Sequence, residues 1–116
     1  MSKYSARKVL ADGHTFDSRA EHRRYQALKL LAVAGEIDQL EVHPRFELVP
    51  AFTDGQGKRH RAMTYEADFR YRDLSTFHVV VEDVKGVRTR AFSLKHKLLM
   101  YRNRGLDFRI VEARHV

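Results

Sequence analysis

There is no cysteine anywhere in the sequence, which excludes disulfides, thiolate zinc sites and a cysteine nucleophile. Only six of the residues are glycine, and they form neither a Walker-type phosphate loop nor a glycine–serine nucleophile elbow. The seven histidines (14, 22, 43, 60, 78, 96 and 115) include no i, i+4 pair, so a helical zinc site is not expected and they read mainly as surface residues. No run approaches the roughly 18 apolar residues of a membrane span. The opening "MSKYSARKVLADGH" has no apolar core of signal-peptide length, which predicts an intracellular protein.

Charge, by contrast, is abundant and lopsided. Lys and Arg number 22 against 15 acids, a formal net charge of +7. Such a surplus suits a polyanion, most simply nucleic acid. An acidic membrane surface is the competing partner, but no strongly basic amphipathic helix with a bulky apolar face is present. With 116 residues, 43% of them hydrophobic and spread along the chain, a single domain over 1–116 with one modest core is expected.

Residues 1–13 are polar and basic and read as an arm that orders on meeting a partner, with a short extended piece near 8–10. "FDSRAEHRRYQALKLLAVAGEI" is a helix. Ser18 is its N-cap, Glu21 stands three residues on as in a capping box, and Gly35 marks the stop. Tyr25, Leu28, Leu31 and Ala32 form the apolar stripe, which Leu30 and Val33 widen. "LEVHPRFELVPAF" reads as extended, its prolines Pro44 and Pro50 arguing for an edge or an irregularity. After the turn "TDGQGK" comes "RHRAMTYEADFRYR", so 45–72 reads as a long hairpin. Its second strand is expected to put Tyr65, Ala67, Phe69 and Tyr71 on one face and Glu66, Asp68 and Arg70 on the other. "FHVVVEDVKG" is a valine-rich central strand, "RTRAFSLKHKLLMYRNRG" a second helix, and "LDFRIVEA" a last strand. The predicted class is mixed α/β (α+β), in the order α-β-β-β-α-β, with a central mixed sheet flanked by helices.

Aspartate is depleted in strands, yet Asp68 and Asp83 both stand in strand-like runs. Their strands are expected to be antiparallel neighbours, which brings the two acids near one another. Alternation puts Lys85 on the same side as Asp83 and Glu82 on the other. Two facing carboxylates repel unless a cation lies between them. An oxygen-seeking ion, Mg²⁺ or Mn²⁺ in its place, resolves the conflict, with Lys85 beside it to orient water or phosphate. Against this stand plainer readings: a solvated face in which the acids pair with Arg70 and Lys85, and a Glu21 that only completes its capping box.

An acid, a turn-containing spacer, then acid-any-lysine on the next strand resembles the signature of the PD-(D/E)XK nuclease superfamily. "EADF" with Asp68 matches its first half, with Ala67 where proline is common, and "EDVKG" matches its second. The stretch from "FDSRAEHRRYQALKL" through "HPRFEL" is similar to small phage-encoded members described as Holliday-junction resolvases. The resemblance implies a restriction-endonuclease-like core and catalytic residues Glu21, Asp68, Asp83 and Lys85. It also implies a metal held by Asp68, Asp83, the Val84 carbonyl and Glu21, in a protein of the bacterial cytoplasm, of phage or host origin. The expected substrate is branched DNA, above all four-way junctions. Paired symmetric cuts then call for a homodimer. A flap, single-strand or recombination nuclease of the same fold, or a non-catalytic nucleic-acid binder, are the alternatives.

Basic residues cluster in the arm (Lys3, Arg7, Lys8), at the hairpin tip (Lys58, Arg59, Arg61) and around the second helix (Arg88, Arg90, Lys95, Lys97). Such residues grip phosphates without reading sequence. No recognition helix or zinc finger is evident, so shape selection is expected over sequence selection. Phe46, Phe52, Phe69, Phe92 and Phe108 read as core rather than as base-stacking platforms.

Overall fold

The computed structural model describes residues 7–116. The elements run β1 (Val9–Ala11), β2 (His14–Phe16), α1 (Arg19–Val33), β3 (Ile37–Val42), β4 (Arg45–Val49), β5 (Phe52–Thr53), β6 (Arg59–His60), β7 (Met63–Glu66), β8 (Phe69–Asp73), β9 (Val79–Lys85), α2 (Arg90–Arg102) and β10 (Asp107–Glu112), with a 3-10 turn at Ala113–His115. The class is mixed α+β, around a four-stranded sheet ordered β10-β9-β8-β3. β9 pairs antiparallel with β8 and parallel with β10, so α2 is the crossover between the parallel strands. The valine-rich strand is therefore central, as its composition predicts.

α1 begins where Ser18 Oγ accepts the Glu21 amide at 3.1 Å. It ends in a Schellman motif: Gly35 N–H donates to Ala32 O at 3.1 Å and Glu36 N–H to Leu31 O at 3.0 Å, with Gly35 at φ +78°. Tyr25 and Leu28 pack into the sheet with Phe16, Ile37, Phe69, Tyr71 and Val80. Leu30 and Val33 do not widen that stripe; they are 71% and 87% exposed. α2 starts at Thr89, whose hydroxyl accepts the Phe92 amide at 3.1 Å. It covers the opposite face through Leu99, packed with Leu48, Tyr65, Ala67 and Val81. The alternation of Val80 and Val81 between these two clusters is the pleat of one strand serving two layers.

The hairpin expected over 45–72 is longer and bends: β8 pairs not within that range but with β3, so the hairpin runs over 37–73. Its base strand β8 belongs to the sheet, β4 and β7 peel away as a separate ladder, and β5 with β6 forms the tip. The bend falls at His43–Pro44 on one side and Ala67–Asp68 on the other, stitched by Ala67 N–H to Pro44 O at 3.0 Å and His43 N–H to Asp68 O at 2.9 Å. This break overturns the expected common face. Phe69 and Tyr71 face α1, whereas Tyr65 and Ala67 face α2. The extended piece expected near 8–10 is β1, which hairpins with β2 through Asp12 and Gly13 at φ +53° and +79°. Asp12 Oδ2 ties that turn to α1 through Tyr25 Oη at 2.8 Å and Lys29 Nζ at 2.7 Å.

Candidate metal centre

Glu21 is delivered by the first turn of α1 and is 3% exposed. It does complete a cap, with a one-residue shift: Oε2 accepts the amide of Asp17 at 3.2 Å. The other oxygen is free of that duty, and His43 Nε2 lies 2.7 Å from Oε1.

Asp68 sits at the hairpin bend, one residue before β8 begins. Phe69 stands opposite Glu82 in the ladder, and continuing the register places Asp68 opposite Asp83. The two interlock. Asp68 N–H donates to Asp83 Oδ1 at 2.9 Å, and Val84 N–H donates to Asp68 Oδ2 at 2.7 Å. Asp83 is 1% exposed, so the reading of a solvated acidic face fails. Its Oδ2 accepts the Tyr65 hydroxyl. Lys85 Nζ lies 3.8 Å from the same oxygen and 4.5 Å above the Phe92 ring, which steadies the ammonium. Arg70, the other suggested partner of these acids, is engaged by Glu41 instead.

Burial raises all three acids. Asp68 is pushed up to about 7, first by burial and then by the charge of Glu21. Asp83 is pushed up to about 6 by burial, against the pull of Lys85 and the Asp68 amide. Glu21 is raised by burial and partly relieved by its bond to His43. Carboxylates in such surroundings favour ionisation once a cation shares them. One donor atom each from Glu21, His43 and Asp68 lies within 4.8 Å of the others. The donor set therefore fits a divalent ion, with Asp83 and the Val84 backbone adjoining it.

Glu82, the acid that a register slip would substitute for Asp83, is fully occupied on the opposite face. Arg24 Nε and Nη2 reach its two oxygens at 2.7 Å each, and the Tyr71 hydroxyl joins them. The pair locks α1 to β9 and leaves Asp83, not Glu82, on the face of β9 that meets Asp68.

Of the basic residues, Lys3 lies outside the described residues. Arg7, Lys8, Lys58, Arg59, Arg61, Arg88, Arg90, Lys95 and Lys97 are all exposed. Arg88 is paired with Glu112 at 2.8 Å. The tip carrying Lys58, Arg59 and Arg61 is well built: Asp54 Oδ1 accepts the amides of Gln56 and Lys58 at 2.8 and 3.0 Å, and His60 Nε2 lies 2.8 Å from Oδ2. Phe52 is not core. It is 45% exposed at this tip and stacks on His60 at 4.7 Å between ring centroids. Phe69 is buried, while Phe46, Phe92 and Phe108 pack against the cluster under α2. Among the described residues no helix is long and apolar enough to cross a membrane.

Two residues escaped the sequence reading. His43 has no partner at helical spacing, and its only local sign is the His-Pro step at a break between strands. Tyr65 stood out only as one residue of a strand face shared with Ala67, Phe69 and Tyr71.

The fold and site define a mixed α+β protein with an acidic, histidine-containing cluster at the bend of its sheet. The sequence matches the family described as "Protein of unknown function (DUF1064)" over residues 1–115, and the chain belongs to that family. No curated protein matches it.

Proposed function

We propose that this chain is a metal-dependent, structure-selective DNA endonuclease with a PD-(D/E)XK-like core, acting on branched DNA as a Holliday-junction resolvase. The observation that carries the reading is that donor atoms of Glu21 and Asp68 lie within 4.8 Å of each other, with Asp83 clasped to the Asp68 amide and Lys85 Nζ 3.8 Å from Asp83 Oδ2. Glu21, Asp68 and Asp83 would hold the ion, Mg²⁺ or Mn²⁺, with the Val84 carbonyl a further ligand by resemblance. The bound ion supplies a water of lowered pKa and offsets charge on the phosphate. Lys85 holds the attacking water and steadies the scissile phosphate. Tyr65 fixes the rotamer of Asp83, and the Val84 amide fixes that of Asp68. Arg7, Lys8, the hairpin tip and the basic face of α2 grip DNA phosphates. Two copies of the chain supply the two cuts of a symmetric junction. An intracellular setting follows from such a substrate.

A flap or single-strand nuclease is the second reading. It is favoured by the exposed Phe52 ring among Lys58, Arg59 and Arg61, a placement suited to an unpaired base. Cleavage of matched four-way junction, flap, single-strand and duplex DNA, with Mg²⁺ or with EDTA, tests both. Metal-dependent cutting strongest on junctions is the expected result. Strongest cutting of flaps or single strands selects the second reading, and tight binding without cleavage leaves a non-catalytic binder.

A further inference from the structure

We propose that His43 is itself a metal ligand, completing with Glu21 and Asp68 a mixed nitrogen–oxygen site that selects Mn²⁺ over Mg²⁺. The inference rests on the metal-dependent reading above and concerns which side chains hold the ion and which ion they prefer.

The geometry is that of donors arranged around a common point. His43 Nε2 lies 2.7 Å from Glu21 Oε1, and one donor atom from each of the three residues falls within 4.8 Å of the rest. Ligands about 2.1 Å from an ion stand at most about 4.2 Å apart. The set must therefore draw in by at least roughly half an ångström to enclose one ion. The 2.7 Å approach of Nε2 to Oε1 lets a single ion about 2.1 Å from each lie beside the pair.

His43 is also positioned at a cost. Its φ is +57°, in the left-handed region that side-chain-bearing residues seldom occupy. The conformation is enforced from both sides: its amide donates to Asp68 O at 2.9 Å, and the buried Pro44 that follows accepts the Ala67 amide at 3.0 Å. Such strain is stored where a side chain must be aimed.

The ion preference follows from the donors. Mg²⁺ favours oxygen ligands and gives up its waters reluctantly, whereas affinity for nitrogen ligands rises along the first transition row. Mn²⁺ accepts both carboxylate and imidazole. An all-carboxylate site would not discriminate in this way.

The test uses the full-length, tag-free chain and Mn²⁺ alone. Pulsed EPR of the bound ion should show nitrogen modulation from one imidazole, and a competition titration should require a large excess of Mg²⁺ to displace it. His43→Asn is the informative variant, because asparagine tolerates the left-handed backbone while lacking the imidazole. With Mn²⁺ raised to saturate it, the nitrogen signal should vanish. Mn²⁺ affinity should fall about tenfold or more while Mg²⁺ affinity changes less than about threefold. Bound Mn²⁺ with no nitrogen signal in the wild-type chain overturns the proposal without any variant. So does a signal that persists in His43→Asn, or equal loss of both ions. Mn²⁺ binding that survives Asp68→Asn, or no binding of either ion, overturns the metal-dependent nuclease reading as well.

Discussion

Asp68 and Asp83 each hold a backbone amide from the other's strand: Asp83 Oδ1 takes the Asp68 N–H and Asp68 Oδ2 takes the Val84 N–H. The clasp fixes the two carboxylates at the point where the hairpin leaves the sheet. An amide side chain keeps an acceptor oxygen for either bond while removing the charge a metal needs. Asp68→Asn and Asp83→Asn should therefore fold and bind DNA, yet lose metal-dependent cleavage by roughly a thousandfold, because a missing ligand forfeits several kcal/mol of transition-state stabilisation. Cleavage and gel-shift affinity on one junction measure both quantities. Wild-type rates in either variant would remove that residue from the mechanism.

Glu21→Gln separates catalysis from capping. Glutamine still presents an oxygen to the Asp17 amide, so the melting temperature should stay within a few degrees of the wild type. Specific activity should drop at least about a hundredfold if Glu21 serves the ion. A lower melting point with unchanged specific activity would make the residue a cap and nothing more.

Stability of the metal-free protein should depend on pH in a direction opposite to that of most surface carboxylates. Asp68 and Asp83 are raised in the fold to about 7 and about 6 from ordinary values near 4. Between these limits the native state binds more protons than the unfolded chain, so its stability is greatest at the acid end and declines as pH rises through 6 and 7. A saturating divalent ion should reverse that decline above pH 7. Thermal melts from pH 4 to pH 8, with EDTA and with Mn²⁺, follow both effects. Stability that climbs across this range in EDTA would contradict the burial of charge at this site.

On the far face of β9, Arg24 neutralises Glu82, which is 1% exposed. Arg24→Ala strands a buried carboxylate and should cost about 3 kcal/mol or more, a loss visible as a lower urea midpoint. Metal affinity should be unchanged, since Glu82 faces away from Asp83. Loss of metal binding in a variant that remains folded would show that the two faces of the strand are not independent.

The hairpin tip should act through phosphates. Replacing Arg59 and Arg61 by alanine should flatten the dependence of log affinity on log salt by up to about 0.9 for each duplex phosphate left without its cation. The change should be alike for different base sequences in one branched shape, and smaller on linear duplex. Titrations at several salt concentrations on matched junction and duplex decide it. Affinity that follows base sequence and ignores branching would exclude junction selectivity.

Much of this architecture is written locally. Ser18, Glu21 and Gly35 delimit α1 because caps depend on a few neighbouring backbone groups. The valines of β9 announce a strand buried on both faces, and period-two alternation alone puts Asp83 and Lys85 together and Glu82 opposite. The spacing across one turn was enough to predict that Asp68 meets Asp83. What the tertiary structure decided are the relations that local periodicity does not carry. The hairpin from β3 to β8 bends at Pro44 and Asp68 because its two halves serve different clusters, which turned Tyr65 away from Phe69 and toward Asp83. Phe52, apolar and strand-forming, lies too far out on the tip to reach either core and remains exposed. His43 joins Glu21 across 22 positions of sequence only because the start of α1 and the end of β3 meet in space. Chain direction and periodicity describe single elements; a site assembled from three of them depends on how those elements pack.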